Sequence, residues 1–153
     1  MPRTPSDLTV QETPFLREND PVRDGVRALL DSDLPALPVI DSGDRYVGIF
    51  GEREFVGAFF PGYLGELSYA GFVSDKLGET IEKRRGCLSE PVSRYMYTEH
   101  VDVDEHFSDA QIAEVFLHHR VLIVPVTADG EVRGVITRSD FFRALARSAL
   151  ESS

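Results

Sequence analysis

Cysteine is nearly absent from the sequence, in which Cys87 is the only one. A single cysteine cannot form a disulfide within the chain, and it provides no paired-cysteine motif for metal or redox chemistry. Long apolar runs are absent as well. None approaches the length of a membrane-spanning helix, and residues 1–10 lack the apolar core of a signal peptide. These absences predict a cytoplasmic protein that does not enter a membrane.

Positive charge is also scarce. Lysine and arginine total 16 against 26 aspartates and glutamates, which gives a formal net charge of −10 at pH 7. A nucleic-acid partner requires a basic face to neutralise backbone phosphates. The composition therefore argues against nucleic acids and anionic membranes as partners, although one local basic pocket can lie within an acidic surface.

No group of residues forms a recognisable catalytic or metal site. Cys87 has only Arg84 and Arg85 near it in the sequence, and no nucleophile has a visible base partner. His118 and His119 are adjacent in a helical stretch, so their side chains cannot face one metal ion together. The sequence thus predicts a protein that is not an enzyme and binds no metal.

What the sequence does contain is an internal repeat, with one copy at residues 34–59 and another at residues 121–145. The copies share a Pro-Val and a later Gly-Ile or Gly-Val dipeptide, at Pro38-Val39, Gly48-Ile49, Pro125-Val126 and Gly134-Val135. An apolar stripe at helical spacing precedes and follows each pair. An α/β fold is predicted, in which each copy has a short extended segment, a helix, two strands and a helix. Halves of about 60 to 70 residues are small enough that we expect them to share one core.

Several local signals define the expected elements. Asp20 followed by Pro21 predicts the N-cap and first residue of a helix, and Ser108 with Gln111 predicts a capping box that opens another helix. Prolines within residues 34–40 predict an edge or irregular strand there, because proline cannot donate a ladder hydrogen bond.

The segments outside the repeat are expected to differ in character. Residues 1–9 predict a flexible terminus, and residues 61–90 predict a connection between the copies with a helical second half. Aromatic side chains are dense over residues 57–72. They either cover the edge of the core or a dimer face, or stack on a ligand.

The corner between the last strand and last helix of each copy carries the candidate site. The second copy places Thr137, Arg138 and Asp140 there, and the first copy places Gly51 and Glu54. A carboxylate can accept hydrogen bonds from two neighbouring sugar hydroxyls, and the free amides of a helix N-terminus favour a phosphate. Thr-x-x-Asp is equally compatible with a capping box that needs no ligand. Both interpretations stay open at this point.

The order of these pieces resembles a known family. The sequence VPV at 124–126 followed by GVITRSD at 134–140, with HHR at 118–120 ending the preceding helix, resembles the CBS domain. Two copies in tandem resemble a Bateman module, with repeats at 10–60 and 91–150. The resemblance implies that the repeats pack through small sheets about a pseudo-twofold axis. It also implies that clefts between them bind adenosyl ligands such as AMP, ATP, S-adenosylmethionine or NAD.

The resemblance further assigns site residues. Thr137 would contact phosphate and Asp140 the ribose hydroxyls, with Arg138 adding a charge-assisted contact to phosphate. The adenine would lie between apolar side chains and main-chain groups near Val103, Ile123 and Pro125. In the first copy Gly51 and Glu54 are weaker candidates, because glycine supplies no hydroxyl and glutamate is one methylene longer than aspartate.

One departure bears on the ligand. Many nucleotide-binding members have basic side chains just before the Pro-Val dipeptide, whereas the segments 121–123 and 34–37 are apolar here. A triphosphate would then meet few cations, so AMP or S-adenosylmethionine is expected in preference to ATP.

The resulting hypothesis is a stand-alone regulatory module with no required cofactor. It would bind an adenosine-containing ligand and signal through conformation or homodimerisation, with a protein effector acting in trans. The alternative is a ligand-free platform for dimerisation or protein interaction.

Overall fold

The computed structural model describes residues 10–60 and 77–151. Two predicted segments therefore lie wholly or partly outside the described residues: the flexible terminus at 1–9, and the aromatic connection, whose residues 61–76 fall outside. Each repeat contributes one three-stranded sheet, in which a short parallel strand and an antiparallel hairpin combine. The strands are β1 (Leu16–Arg17), β2 (Ala36–Ile40), β3 (Tyr46–Gly51), β4 (Val103–Asp104), β5 (Ile123–Ala128) and β6 (Glu131–Thr137). This arrangement confirms the predicted α/β repeat.

Five α-helices lie within the described residues. They are α1 (Val22–Ser32), α2 (Glu52–Phe59), α3 (Leu77–Arg84), α4 (Asp109–His118) and α5 (Arg138–Glu151). Short 3-10 turns at Arg85–Ser89 and Val92–Arg94 lead from α3 to the second repeat. None of these described helices is long and apolar enough to cross a membrane.

The capping predictions had different outcomes. The capping box that opens α4 is confirmed, because Ser108 Oγ accepts from the Gln111 amide at 3.2 Å and Gln111 Oε1 accepts from the Ser108 amide at 2.8 Å. The prediction for α1 was wrong by one residue, since the helix begins at Val22 with Pro21 as its N-cap. The Asp20 carboxylate instead accepts from the amide of Arg17, at the end of β1, at 2.8 Å.

The prediction of an edge or irregular strand at 34–40 was wrong about the edge, because the strand at 36–40 is central, but its pairing with β3 is irregular between Val39 and Ile40. β2 lies between β1 and β3, with Pro38 opposite Ile49. Both main-chain groups of Ile49 bond to Tyr97 on the other side of β3, so the Pro38–Ile49 pair needs no donor from proline. On its other edge β2 pairs with β1 only at Val39 and Ile40, beyond the proline. Pro38 therefore costs no ladder hydrogen bond.

The two repeats exchange short segments. Gln11, near the start of the first repeat, exchanges two backbone hydrogen bonds of 2.8 and 3.0 Å with Val135 of β6. Tyr97, near the start of the second repeat, exchanges bonds of 2.8 and 2.9 Å with Ile49 of β3. Each sheet is thus extended by a residue from the other half of the chain.

The repeats also share a hydrophobic core, as their small size predicted. One buried cluster joins Leu37 and Phe50 of the first repeat to Ile123 and Val135 of the second. A second cluster belongs to the second repeat alone and includes Ile112 of α4. A third packs Phe59 and Ala58 of α2 on Cys87, and the role of the aromatic connection stays a prediction.

Candidate ligand-binding clefts

The corner of the second repeat is a formed helix cap. Thr137 is buried, and its Oγ accepts the amide of Asp140 at 3.0 Å. One oxygen of the Asp140 carboxylate accepts from Nε2 of Gln11 at 2.6 Å, and the other lies 3.7 Å from Arg143. Both groups that the resemblance assigns to a ligand therefore have partners within the chain.

The residues expected around the adenine lie in adjacent strands of the second sheet, with Ile123 directly opposite Thr137. Ile123 is fully buried in the core shared by the repeats, and Pro125 is buried in the same strand. Val103 belongs to the separate cluster of the second repeat, and it borders a cleft of about 390 Å³ together with His118 and His119. Their role in contacting a base stays a prediction.

The corner of the first repeat has a different local structure. Glu54 Oε1 accepts the amide of Gly51 at 2.8 Å, which closes the first turn of α2. Burial raises the pKa of the Glu54 carboxyl, and the bond from the Gly51 amide partly opposes that rise. Gly51 itself lies tightly against β2, because a Cβ there would be 2.5 Å from the Pro35 carbonyl oxygen. The absence of a hydroxyl at this corner thus has a steric cause.

An open cleft of about 620 Å³ adjoins this corner and is walled by both repeats. Arg53, Glu54 and Gly57 of α2 form the wall from the first repeat. The segment 94–97, Glu99 and the end of α4 at 118–120 form the remainder. We call this the first cleft. It is the cleft in which a predicted site carboxylate, that of Glu54, meets residues of the other repeat.

A hydrogen-bonded group fixes one side of the first cleft. The Tyr97 hydroxyl lies 2.7 Å from Nδ1 of His119 and 3.0 Å from Oε2 of Glu99. Burial and the Glu99 carboxylate raise the pKa of Tyr97, so the phenol keeps its proton. Since Tyr97 is held on β3 by its backbone bonds to Ile49, this group ties the end of α4 to the sheet of the first repeat.

Three arginines converge on the same region. Arg53 and Arg120 line the first cleft, and both also line an adjoining cleft of about 600 Å³ together with Arg138. All three side chains are exposed, and none forms a salt bridge with another described residue. Of these three, the sequence pointed only to Arg138 as a phosphate contact. Arg53 lies on α2 and Arg120 in the segment between α4 and β5, and only the fold brings them together.

Comparison with known proteins identifies the fold family. The family model for the CBS domain matches residues 6–60 and 92–147. The chain belongs to the CBS domain family. It is a tandem CBS pair, because the two matches coincide with the two sheets.

Solved CBS structures share this fold. The CBS-pair protein CBSX2 from Arabidopsis thaliana has a TM-score of 0.72 at 19% identity, covering 97% of this chain and 98% of its own. A CBSX2 structure in complex with AMP has a TM-score of 0.64 at 21% identity, covering 94% and 95%. The CBS domain of a membrane protein from Sphaerobacter thermophilus has a TM-score of 0.66 at 24% identity, covering 88% and 82%. No curated protein matches the chain.

Metal binding finds no support among the residues described. Within 10–60 and 77–151 there is no group of three or more histidine, cysteine, aspartate or glutamate side chains that could hold an ion. The histidines of the first cleft, His118 and His119, instead belong to its wall.

The buried carboxyl of Glu54 leads to a prediction about pH. Its pKa is higher in the folded protein than the ordinary value of 4.5, so protonation favours folding and the charged form opposes it. We expect Glu54→Gln, which keeps an acceptor for the Gly51 amide, to raise the unfolding free energy at pH 7. This gain should shrink as the pH falls toward 4.5, where the wild-type carboxyl becomes protonated. Urea unfolding of both proteins between pH 7 and pH 4.5 measures it, and a gain that stays constant with pH would contradict the prediction.

Proposed function

We propose that this CBS pair is a regulatory module that binds an adenosine-containing ligand, AMP in particular, in the first cleft. The observation that carries the proposal is the meeting of Glu54, Arg53 and Arg120 in one open cleft between the repeats. Glu54 supplies a carboxylate oxygen for ribose hydroxyls, and the two arginines, which form no salt bridge among the described residues, supply guanidinium groups for a phosphate. The side chains of Met96 and Tyr97, which line the same cleft, offer the largely apolar surface that an adenine needs.

The charge of the first cleft favours a ligand of low negative charge. The charged side chains that line it are those of Arg53, Arg94, Arg120, Glu54 and Glu99. With neutral histidines they give the cleft a formal charge of +1, in a protein of net charge −10. One of the arginines, Arg94, is already paired with Glu90 at 2.7 Å. A monophosphate suits this balance better than a triphosphate does, and the sulfonium of S-adenosylmethionine would meet like charge. The AMP complex of CBSX2, a protein of the same fold, supports this choice.

The position of the first cleft suggests how binding would be signalled. Its walls come from α2 in the first repeat and from the end of α4 in the second. A ligand that contacts both favours the arrangement in which they lie at the right distance, and it shifts the population toward that arrangement by its difference in affinity. We propose that a homodimer contact or a protein effector in the cytosol responds to this shift, and that the module itself carries out no reaction.

A ligand-free dimerisation platform is the second candidate. It is favoured by the exposed apolar face of α5, where Phe142 is 66% and Leu145 53% exposed. Exposed apolar side chains close together are typical of interaction surfaces. This candidate requires no occupant in the first cleft.

Thermal unfolding with added ligands tests the proposal. AMP at about one hundred times its dissociation constant stabilises the folded state by about 2.7 kcal/mol, which raises Tm by several degrees. We expect a larger rise with AMP than with adenosine, ATP, NAD or S-adenosylmethionine at equal millimolar concentration. The double variant Arg53→Gln/Arg120→Gln should lose most of the AMP effect.

The matched control is Arg27→Gln/Arg133→Gln, which removes the same charge from exposed positions outside the first cleft. It should retain the AMP effect. No rise with any of the ligands would contradict the proposal and favour the dimerisation platform. An equal rise with S-adenosylmethionine would contradict the argument from charge.

A further inference from the structure

The N-terminal segment places a side chain on the ligand motif of the second repeat. Gln11 Nε2 donates to Asp140 Oδ2 at 2.6 Å across 129 residues of sequence. The two backbone hydrogen bonds between Gln11 and Val135 hold the glutamine there. Val135 lies only two residues before the corner at Thr137, at the end of β6. The contact between Gln11 and Asp140 therefore follows from the segment exchange between the repeats.

The equivalent contact does not exist in the first repeat. Tyr97 occupies the position that corresponds to Gln11, because it pairs with Ile49 of β3 as Gln11 pairs with Val135 of β6. Its hydroxyl, however, turns to His119 and Glu99 and not to the corner carboxylate. Glu54 accepts only its local amide bond from Gly51 among the hydrogen bonds of the described residues. The two corners are therefore in different states within one chain.

The chemistry of the Gln11 contact imitates that of a ribose. A carboxylate holds a ribose by accepting from hydroxyl donors, and the carboxamide of glutamine also presents N–H donors to it. Oδ2 of Asp140 is taken by Gln11, and Oδ1 faces the guanidinium of Arg143 at 3.7 Å. A nucleoside would have to displace the glutamine to gain the same hydrogen bonds.

We infer that Gln11 occupies the nucleoside-binding carboxylate of the second repeat in cis, so that the module takes one adenosine ligand per chain. The inference rests on the proposed function, because it presumes that the first cleft binds AMP. Gln11 then determines how many ligands each chain binds. Its N–H donors occupy the Asp140 carboxylate, whereas alanine at this position would leave Asp140 Oδ2 free. Loss of a hydrogen bond to a charged group changes a competing equilibrium by roughly tenfold to a hundredfold.

Calorimetric titration with AMP tests the inference. The wild type should bind about one equivalent of AMP per chain, and Gln11→Ala should bind about two. The second AMP should bind to Gln11→Ala at least about tenfold more tightly than any second AMP binds to the wild type. Gln11→Ala/Asp140→Asn should return to about one. Glu12→Ala, which alters an exposed neighbour with no bond to Asp140, should also stay at one. Thermal unfolding verifies that each variant is folded.

Each other result overturns the inference. Two equivalents in the wild type would show that Gln11 does not close the corner. One equivalent in both the wild type and Gln11→Ala would show that the freed carboxylate is not a site. If neither protein binds AMP, the proposed function itself fails, and the inference fails with it.

Discussion

Replacing Gly51 by threonine is expected to destabilise the protein by about 3 kcal/mol, although it supplies the hydroxyl that the CBS motif carries at this corner. A Cβ at Gly51 would lie 2.5 Å from the Pro35 carbonyl oxygen and 2.6 Å from Ala36 Cα, and it would overlap Ala36 Cβ. These are mostly backbone atoms, so no rotamer change can relieve the contact. The Pro35 carbonyl is also fixed by the Glu52 amide at 3.0 Å.

Chemical or thermal unfolding measures this effect, with a fall in Tm of roughly 10 °C expected for a chain of this length. The matched control is Gly57→Ala in the middle of α2, where an added Cβ meets nothing within 4 Å. That substitution should stabilise the helix by about 0.5–1 kcal/mol. Wild-type stability in Gly51→Thr would mean that β2 does not lie against this corner.

Ile123→Ala is expected to lower the unfolding free energy by about 2–5 kcal/mol. Ile123 is fully buried in the cluster that joins the two repeats, so its truncation leaves a cavity in the shared core. The AMP affinity of the protein that remains folded should change little, because Ile123 is not among the residues that line the first cleft.

Leu145→Ala on α5 is the control, since Leu145 is 53% exposed and should cost well under 1 kcal/mol. Urea unfolding and AMP titration of both variants separate the two roles considered for Ile123. If Ile123→Ala loses little stability but much of its AMP affinity, Ile123 contacts the ligand.

Local patterns in the sequence predicted much of the fold. The repeated Pro-Val and Gly-Val dipeptides identified both hairpins, because strand and turn signals are short-range. The capping box at Ser108 and Gln111 was correct for the same reason, since its two hydrogen bonds join residues three apart. The CBS resemblance supplied the relation between the copies.

Long-range features could not be predicted in this way. The bond between Gln11 and Asp140 depends on which sheet the N-terminal segment joins, and no local pattern encodes that choice. Arg53 and Arg120 come from different repeats, so their convergence follows from the tertiary packing. The sequence showed that Gly51 lacks a hydroxyl, whereas the contact with Pro35 that requires glycine became visible only in three dimensions.

Backbone amide NMR signals followed during a titration with AMP report whether AMP binds in the first cleft. We expect the signals of residues 52–57, 95–99 and 118–120 to shift in a saturable manner, and those of residues 137–140 to change little. Saturable shifts at 137–140 with no change at 52–57 would contradict this expectation and place the ligand at the second corner. The absence of saturable shifts anywhere would contradict ligand binding altogether.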